Sequence, residues 1–130
     1  SISHLPDLYS IGRSARSFRS VTCEGGHFYF DIRNWEKTFE EDNLHEEEFR
    51  VTDGHVNYLV RYSYLINGWN VKSKMFVDIR KERAHKSKRY EFDFFPAGYD
   101  QYRSALRDAG FRHVERGFYP GRDYYFVVAG

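Results

Sequence analysis

Between Val56 and Ile79 two sets of side chains alternate along the chain, and that rhythm constrains the fold more than any other feature of the sequence. Val56, Tyr58, Val60, Tyr62 and Tyr64 alternate with Asn57, Leu59, Arg61, Ser63 and Leu65. After Asn67-Gly68, Val71, Ser73, Met75, Val77 and Ile79 alternate with Lys72, Lys74, Phe76, Asp78 and Arg80. Successive side chains of a strand point to opposite faces, so a period of two predicts two strands, and the Asn-Gly pair predicts a hairpin between them. A polar break over 81–88 leads to a third alternating run, where Tyr90, Phe92 and Phe94 are interleaved with Arg89, Glu91 and Asp93. The segment of about 50–96 is therefore expected to be a three-stranded antiparallel meander.

The flanks have another period. Leu8, Ile11, Ala15 and Phe18 share one helical face while Arg13, Arg16 and Arg19 share the other, behind a Pro6-Asp7 start. Gly25-Gly26 ends that unit. The run from His27 to Ile32 is short and nearly continuously apolar, the pattern of a strand covered on both faces. A short helical turn is expected over 35–41, followed by an acid run of Glu40, Glu41, Asp42, Glu46, Glu47 and Glu48 that reads as a solvated loop. Beyond the meander, Tyr102, Ala105, Leu106 and Ala109 form a helical stripe that stops at Gly110. Two last strands are expected around Pro120-Gly121. Helices around a two-sided strand argue for an α/β fold with a mostly parallel sheet and an antiparallel edge. On this reading 1–49 and 97–130 form the core of one domain and 50–96 is an insert.

Composition narrows the function. With 130 residues there is room for one core, and a net charge of +1 gives no overall basic field for nucleic acid or an anionic membrane. No apolar run approaches the roughly 20 residues that span a bilayer. The single cysteine, Cys23, excludes an internal disulfide and a multi-cysteine metal cage, which fits a reducing cytoplasm. The histidines form no i, i+4 pair and no H-E-x-x-H, so no metal site is expected. Cys23 and His27 are separated by two glycines and a strand onset, which argues against a helical Cys/His dyad. That leaves Asp31, Arg33 and Asn34, polar residues placed where an apolar strand runs out. Ligands of open α/β sheets bind at the carboxyl ends of strands. There a guanidinium can grip a carboxylate through two parallel hydrogen bonds; alternatively, Arg33 pairs with Asp31 or caps a local turn.

Four stretches carry a family resemblance: SISHLPDL at the start, TCEGGHFYFDIRNWEK, LRDAGF and DYYFVVAG. Together they resemble the C-terminal half of a class I S-adenosylmethionine-dependent methyltransferase, closest to the glycine and sarcosine N-methyltransferase group. The string Asp31-Ile32-Arg33-Asn34-Trp35 is the specific match, while Ala-Gly-Phe is common to many methyltransferases. The resemblance implies the C-terminal part of a Rossmann-like sheet carrying an antiparallel three-strand insert. It implies S-adenosylmethionine as cofactor and a small amine as methyl acceptor. By the same resemblance Arg33 holds the substrate carboxylate, Asn34 and His4 belong to the substrate pocket, and Ser1 borders the cofactor; no catalytic residue is implied. The sequence departs from the family in having Cys23-Glu24 before the paired glycines, where a proline is usual. It also lacks a glycine-rich strand-to-helix turn and an acidic residue ending a second strand to hold the ribose, so the main cofactor-binding residues are expected upstream.

A reading from another class is a non-catalytic binding module. Lys72, Lys74, Arg80, Lys81, Arg83, Lys86, Lys88 and Arg89 surround aromatic strands and could engage single-stranded nucleic acid or a protein. Asp78, Glu82, Glu91 and Asp93 dilute that patch, so neither nucleic acid nor membrane is the expected partner. In the group that the chain resembles, such an insert lies over the active-site mouth or mediates subunit contact; the sequence leaves both open, a homo-oligomer through the insert being one of them.

Overall fold

The computed structural model of the chain describes residues 2–40 and 43–130. They fall into two units, 1–40 with 95–130, and 41–94.

In the first unit, helix α1 (Leu8–Val21) begins at Asp7, whose carboxylate accepts the Ser10 N–H at 2.7 Å. That bond to the charged form holds the Asp7 carboxyl below its usual range. Ile11 and Ala15 of the expected stripe are buried and Phe18 packs against them, whereas Leu8 lies exposed in the first turn. Helix α3 (Tyr99–Asp108) buries Tyr102 and Leu106. It stops where Gly110 takes φ 100° and the Phe111 N–H folds back to the Leu106 carbonyl at 3.1 Å. Both helices share one apolar cluster with Ile32, Tyr125, Val127 and Ala129 of the sheet.

That sheet contains β1 (Phe28–Arg33), β6 (Val114–Phe118) and β7 (Tyr124–Ala129) in the order β1-β7-β6. Both outer strands run antiparallel to β7 and therefore parallel to each other. A mostly parallel sheet was the expectation; among the described residues every pairing is antiparallel, because β7 returns between two codirectional strands. The expectation that β1 is covered on both faces also changes. Phe28, Phe30 and Ile32 point into the cluster, but Tyr29 is 51% exposed, and β1 is hydrogen-bonded on one edge only among the described residues. Tyr29 packs sideways instead, its ring 5.7 Å from that of Phe126 and its hydroxyl against that of Tyr119. An aromatic run thus mimics a buried strand while half of it lies on an open face. Phe126 in turn covers its register partner Gly117, where a Cβ would come 2.1 Å from the ring.

The second unit is an antiparallel sheet of β2 (Leu44–Asp53), β3 (Val56–Asn67), β4 (Asn70–Lys81) and β5 (Ala84–Phe94), in chain order. The three expected strands are β3 to β5, and a fourth, β2, precedes them. The expected acid loop is corrected here: Glu46, Glu47 and Glu48 lie inside β2, and Glu41 and Asp42 fall outside the described residues. Three consecutive acids hide the period of two, but pairing with β3 restores it, setting Glu47 opposite Tyr62 and Phe49 opposite Val60. Every hairpin has a two-residue loop, Gly54-His55, Gly68-Trp69 or Glu82-Arg83, whose first residue has φ of 56°, 61° or 52°. The helical turn expected over 35–41 is shorter, α2 (Trp35–Thr38). No helix of the described residues is long and apolar enough to cross a membrane.

Candidate active site

The carboxyl end of β1 in the first unit gathers the polar residues that the sequence singles out. Arg33 ends the strand and is 9% exposed. Its register partner, Tyr124, opens β7, and the Arg33 guanidinium donates to the Tyr124 hydroxyl at 3.0 Å. The same guanidinium carbon lies 4.9 Å from the Tyr124 ring centre and 5.8 Å from that of Trp35. Trp35 is itself buried and stacked on Phe39. Two aromatic faces therefore fix the plane of a permanently charged fork in a nearly dry place, where its charge acts more strongly than in water.

Asn34 is the N-cap of α2. Its side-chain oxygen accepts the Lys37 N–H at 3.2 Å, and its own N–H donates to the Asp123 carbonyl at 2.8 Å. Lys37 closes the same joint through an ion pair with the Asp123 carboxylate at 2.8 Å. This network ties the exit of β1 to the entrance of β7, so Asn34 sets where Arg33 stands. His4 is exposed at the end of a 3-10 turn (Ile2–His4) that lies against β1. Ser1 lies outside the described residues. Of the four sequence candidates, Arg33 and Asn34 are brought together by adjacency and by their shared hold on 123–124.

A depression of about 360 Å³ opens at the start of α3, lined by Glu36, Gly98, Tyr99, Gln101 and Arg116 among others. The Gln101 side chain accepts the Gly98 N–H at 2.8 Å, and the Glu36 carboxylate lies so near Gly98 that a Cβ there would meet it at 3.2 Å. Arg116 stacks over Tyr99 at 4.6 Å. Beneath, the Tyr125 hydroxyl is buried without a hydrogen-bond partner among the described residues. Burial pushes its ionisation well above the ordinary phenol range, with Arg116 pulling back weakly. Tyr102, buried in the same core, is pushed up to about 12 by the same desolvation.

Tyr124, Glu36 and Arg116 escape the sequence reading because their neighbours are distant in the chain. Tyr124 meets Arg33 across 91 positions, and only the β1–β7 register reveals that.

No family model matches the chain, and no curated protein matches it by sequence. Solved structures do. An S-adenosylmethionine-dependent methyltransferase from Clostridium acetobutylicum superposes with a TM-score of 0.75 at 14% identity, over 99% of this chain and 54% of that one. DesVI from Streptomyces venezuelae gives a TM-score of 0.86 at 15% identity, over 98% and 53%. The sugar N-methyltransferase KedS8 from a Streptoalloteichus species gives 0.74 at 16%, over 98% and 51%. The chain spans about half the length of each of these three solved structures. Its fold is that of about half of a methyltransferase chain.

Proposed function

We propose that this chain is the substrate-side, C-terminal portion of an S-adenosylmethionine-dependent N-methyltransferase that acts on a small amine in a reducing cytoplasm. The observation that carries the reading is β7 returning between the codirectional β1 and β6, with buried Arg33 closing β1, in a chain that superposes on methyltransferases over nearly its whole length. The cofactor is S-adenosylmethionine on this reading, which would supply a methyl group on a sulfonium. Its main binding residues are expected outside this chain, whose sequence holds no glycine-rich strand-to-helix turn.

The part left to these residues is positioning. The nucleophile is the neutral amine itself, so orientation and exclusion of water supply most of the acceleration, and no covalent intermediate with the protein is needed. Arg33, its plane set by Tyr124 and Trp35, holds the carboxylate of glycine or sarcosine. Asn34 acts through Arg33 by fixing the strand exit, His4 borders the pocket, and Ser1 belongs to the cofactor side.

A second acceptor class, an amino sugar, is favoured by the likeness to KedS8. Such an acceptor carries no carboxylate, so Arg33→Lys in the complete enzyme separates the two. With glycine or sarcosine the KM should rise by about tenfold or more, whereas an amino sugar should be methylated unchanged. A complete enzyme that methylates neither class would overturn the reading. For the division of labour, calorimetric titration of the folded 130-residue chain with S-adenosylhomocysteine should give no saturable heat.

A further inference from the structure

We propose that the depression at the start of α3 binds a small zwitterion of the α-amino-acid class, with Arg116 and Tyr125 at its carboxylate and Glu36 at its ammonium, independently of the methyl-transfer reading. All of these residues belong to the first unit. Three elements meet there: the first turn of α2 brings Glu36, the start of α3 brings Tyr99 and Asp100, and β6 brings Arg116. Arg116 shares its face of β6 with Val114, which is buried in the core cluster. Its guanidinium carbon is 4.6 Å from the Tyr99 ring centre and 5.1 Å from that of Phe118. Those two rings also flank Tyr125, at 6.3 and 6.2 Å. Tyr125 is 3% exposed, and its hydroxyl has no hydrogen-bond partner among the described residues. After burial itself, the groups that act on its ionisation are Tyr102, Arg116, Glu36 and Tyr99, and the last three line the depression, so the hydroxyl faces that side. Arg116 is exposed and held by stacking, so it can lift by the width of a carboxylate oxygen, which then accepts from both the guanidinium and the phenol.

The charges around the depression select its ligand. The ion pairs of the described residues involve other side chains, so Glu36 and Arg116 line one depression without neutralising each other. Asp100 adds a second carboxylate to the lining. A simple anion is attracted by Arg116 but repelled by Glu36 and Asp100, and a simple cation meets the reverse. A molecule that carries both signs close together satisfies each group at once. The Glu36 carboxylate stands beside Gly98 at the positive end of α3, which holds it in place to receive the ammonium. The volume of about 360 Å³ is near the lower end of the range for small-molecule sites, roughly 300–1,000 Å³, and so suits a ligand of amino-acid size.

Heteronuclear NMR of the isotope-labelled 130-residue chain tests this. The probes are L-alanine, propionate and ethylammonium, the last two being alanine without its ammonium and without its carboxylate. L-Alanine should shift the amide signals of Tyr99, Asp100, Gln101 and Arg116 saturably, and each half should bind at least about tenfold more weakly. Glu36→Gln and Arg116→Gln change exposed side chains and should each weaken alanine binding by about tenfold. Tyr125→Phe keeps the buried ring and should weaken it by about threefold or more. Arg33→Lys should leave the alanine response in place, which separates this site from the end of β1. An unchanged far-UV circular dichroism spectrum checks that each variant folds. No shift at these residues, propionate or ethylammonium bound as tightly as alanine, affinity indifferent to the changes at Glu36, Arg116 and Tyr125, or loss of the response in Arg33→Lys would each overturn the proposal.

Discussion

Replacing Gly117 by alanine adds one methyl group to β6, yet it should be among the most damaging small changes available to this chain. The new Cβ would stand 2.1 Å from Phe126 Cζ and under 3.0 Å from both Cε atoms, so the ring has to leave. It cannot leave freely, because Tyr29 and Tyr119 pack on it at 5.7 and 5.4 Å. Overfilling a packed site costs about 1–3 kcal/mol. Two disrupted ring pairs cost roughly 0.5–1.5 kcal/mol each, and the gain from replacing a strand glycine returns roughly 0.5–1 kcal/mol. The net expectation is a loss of about 3 kcal/mol, measured by urea denaturation followed by circular dichroism. The decisive comparison uses Phe126→Ala as the background. With the ring gone, the three atoms nearest the new methyl group are gone with it, and Gly117→Ala should become neutral or mildly stabilising. Equal effects in both backgrounds, within about 0.5 kcal/mol, would refute the account, since independent sites add and clashing neighbours do not.

Three further expectations follow from local geometry. Glu82 holds φ 52° where the two other hairpins have glycine, so Glu82→Gly should stabilise the chain by about 1 kcal/mol in the same denaturation experiment. Tyr102 is held neutral by burial, with its folded ionisation pushed up to about 12 from an unfolded value near 10. The unfolded chain therefore loses that proton first, so this stability is intact below pH ~10 and drains away as the pH rises to about 12. Tyr102→Phe should flatten the alkaline stability profile, and an unchanged slope would count against it. Asp7→Ala should destabilise α1 at neutral pH, and the difference from the parent should shrink as acid protonates the Asp7 carboxyl in the parent.

How far the sequence reaches depends on the range of the interaction that decides each feature. The stops at Gly110 and around Pro120-Gly121, the face shared by Ile11 and Ala15, and the alternation of β3 to β5 are local, and periodicity reports them directly. β2 is not local. Glu46 to Glu48 have no strand signal of their own and are extended because β3 supplies Tyr64, Tyr62 and Val60 as cross-strand partners along that strand. β1 fails the other way, since Tyr29 and Asp31 sit on an open face that a continuous apolar run conceals. At the candidate site, Arg33 and Asn34 stand out because polar residues end an apolar strand. Tyr124 reaches the same end through the β1–β7 register, and Arg116 reaches the depression at the start of α3 through tertiary packing, neither of which any spacing in the chain encodes.

The meander has one more consequence, for how the first unit closes. Its contacts are almost all between successive strands joined by two-residue loops, so it can form early, whereas the β1–β7 pairing joins positions nearly a hundred residues apart. With an even number of strands, β2 enters and β5 leaves at the same end of the sheet: Asn43 pairs with Ile66, and Phe94 lies opposite Val71. Three strand spacings separate those ends, roughly 14 Å. Once the meander has folded, residues 43 and 94 are no longer the ends of a long flexible loop but the ends of a short rigid span. The entropy of bringing the two parts of the first unit together falls accordingly. A linker of about five residues spans the same gap, so a chain with 43–94 replaced by such a linker should still be able to bring β1 and β7 together.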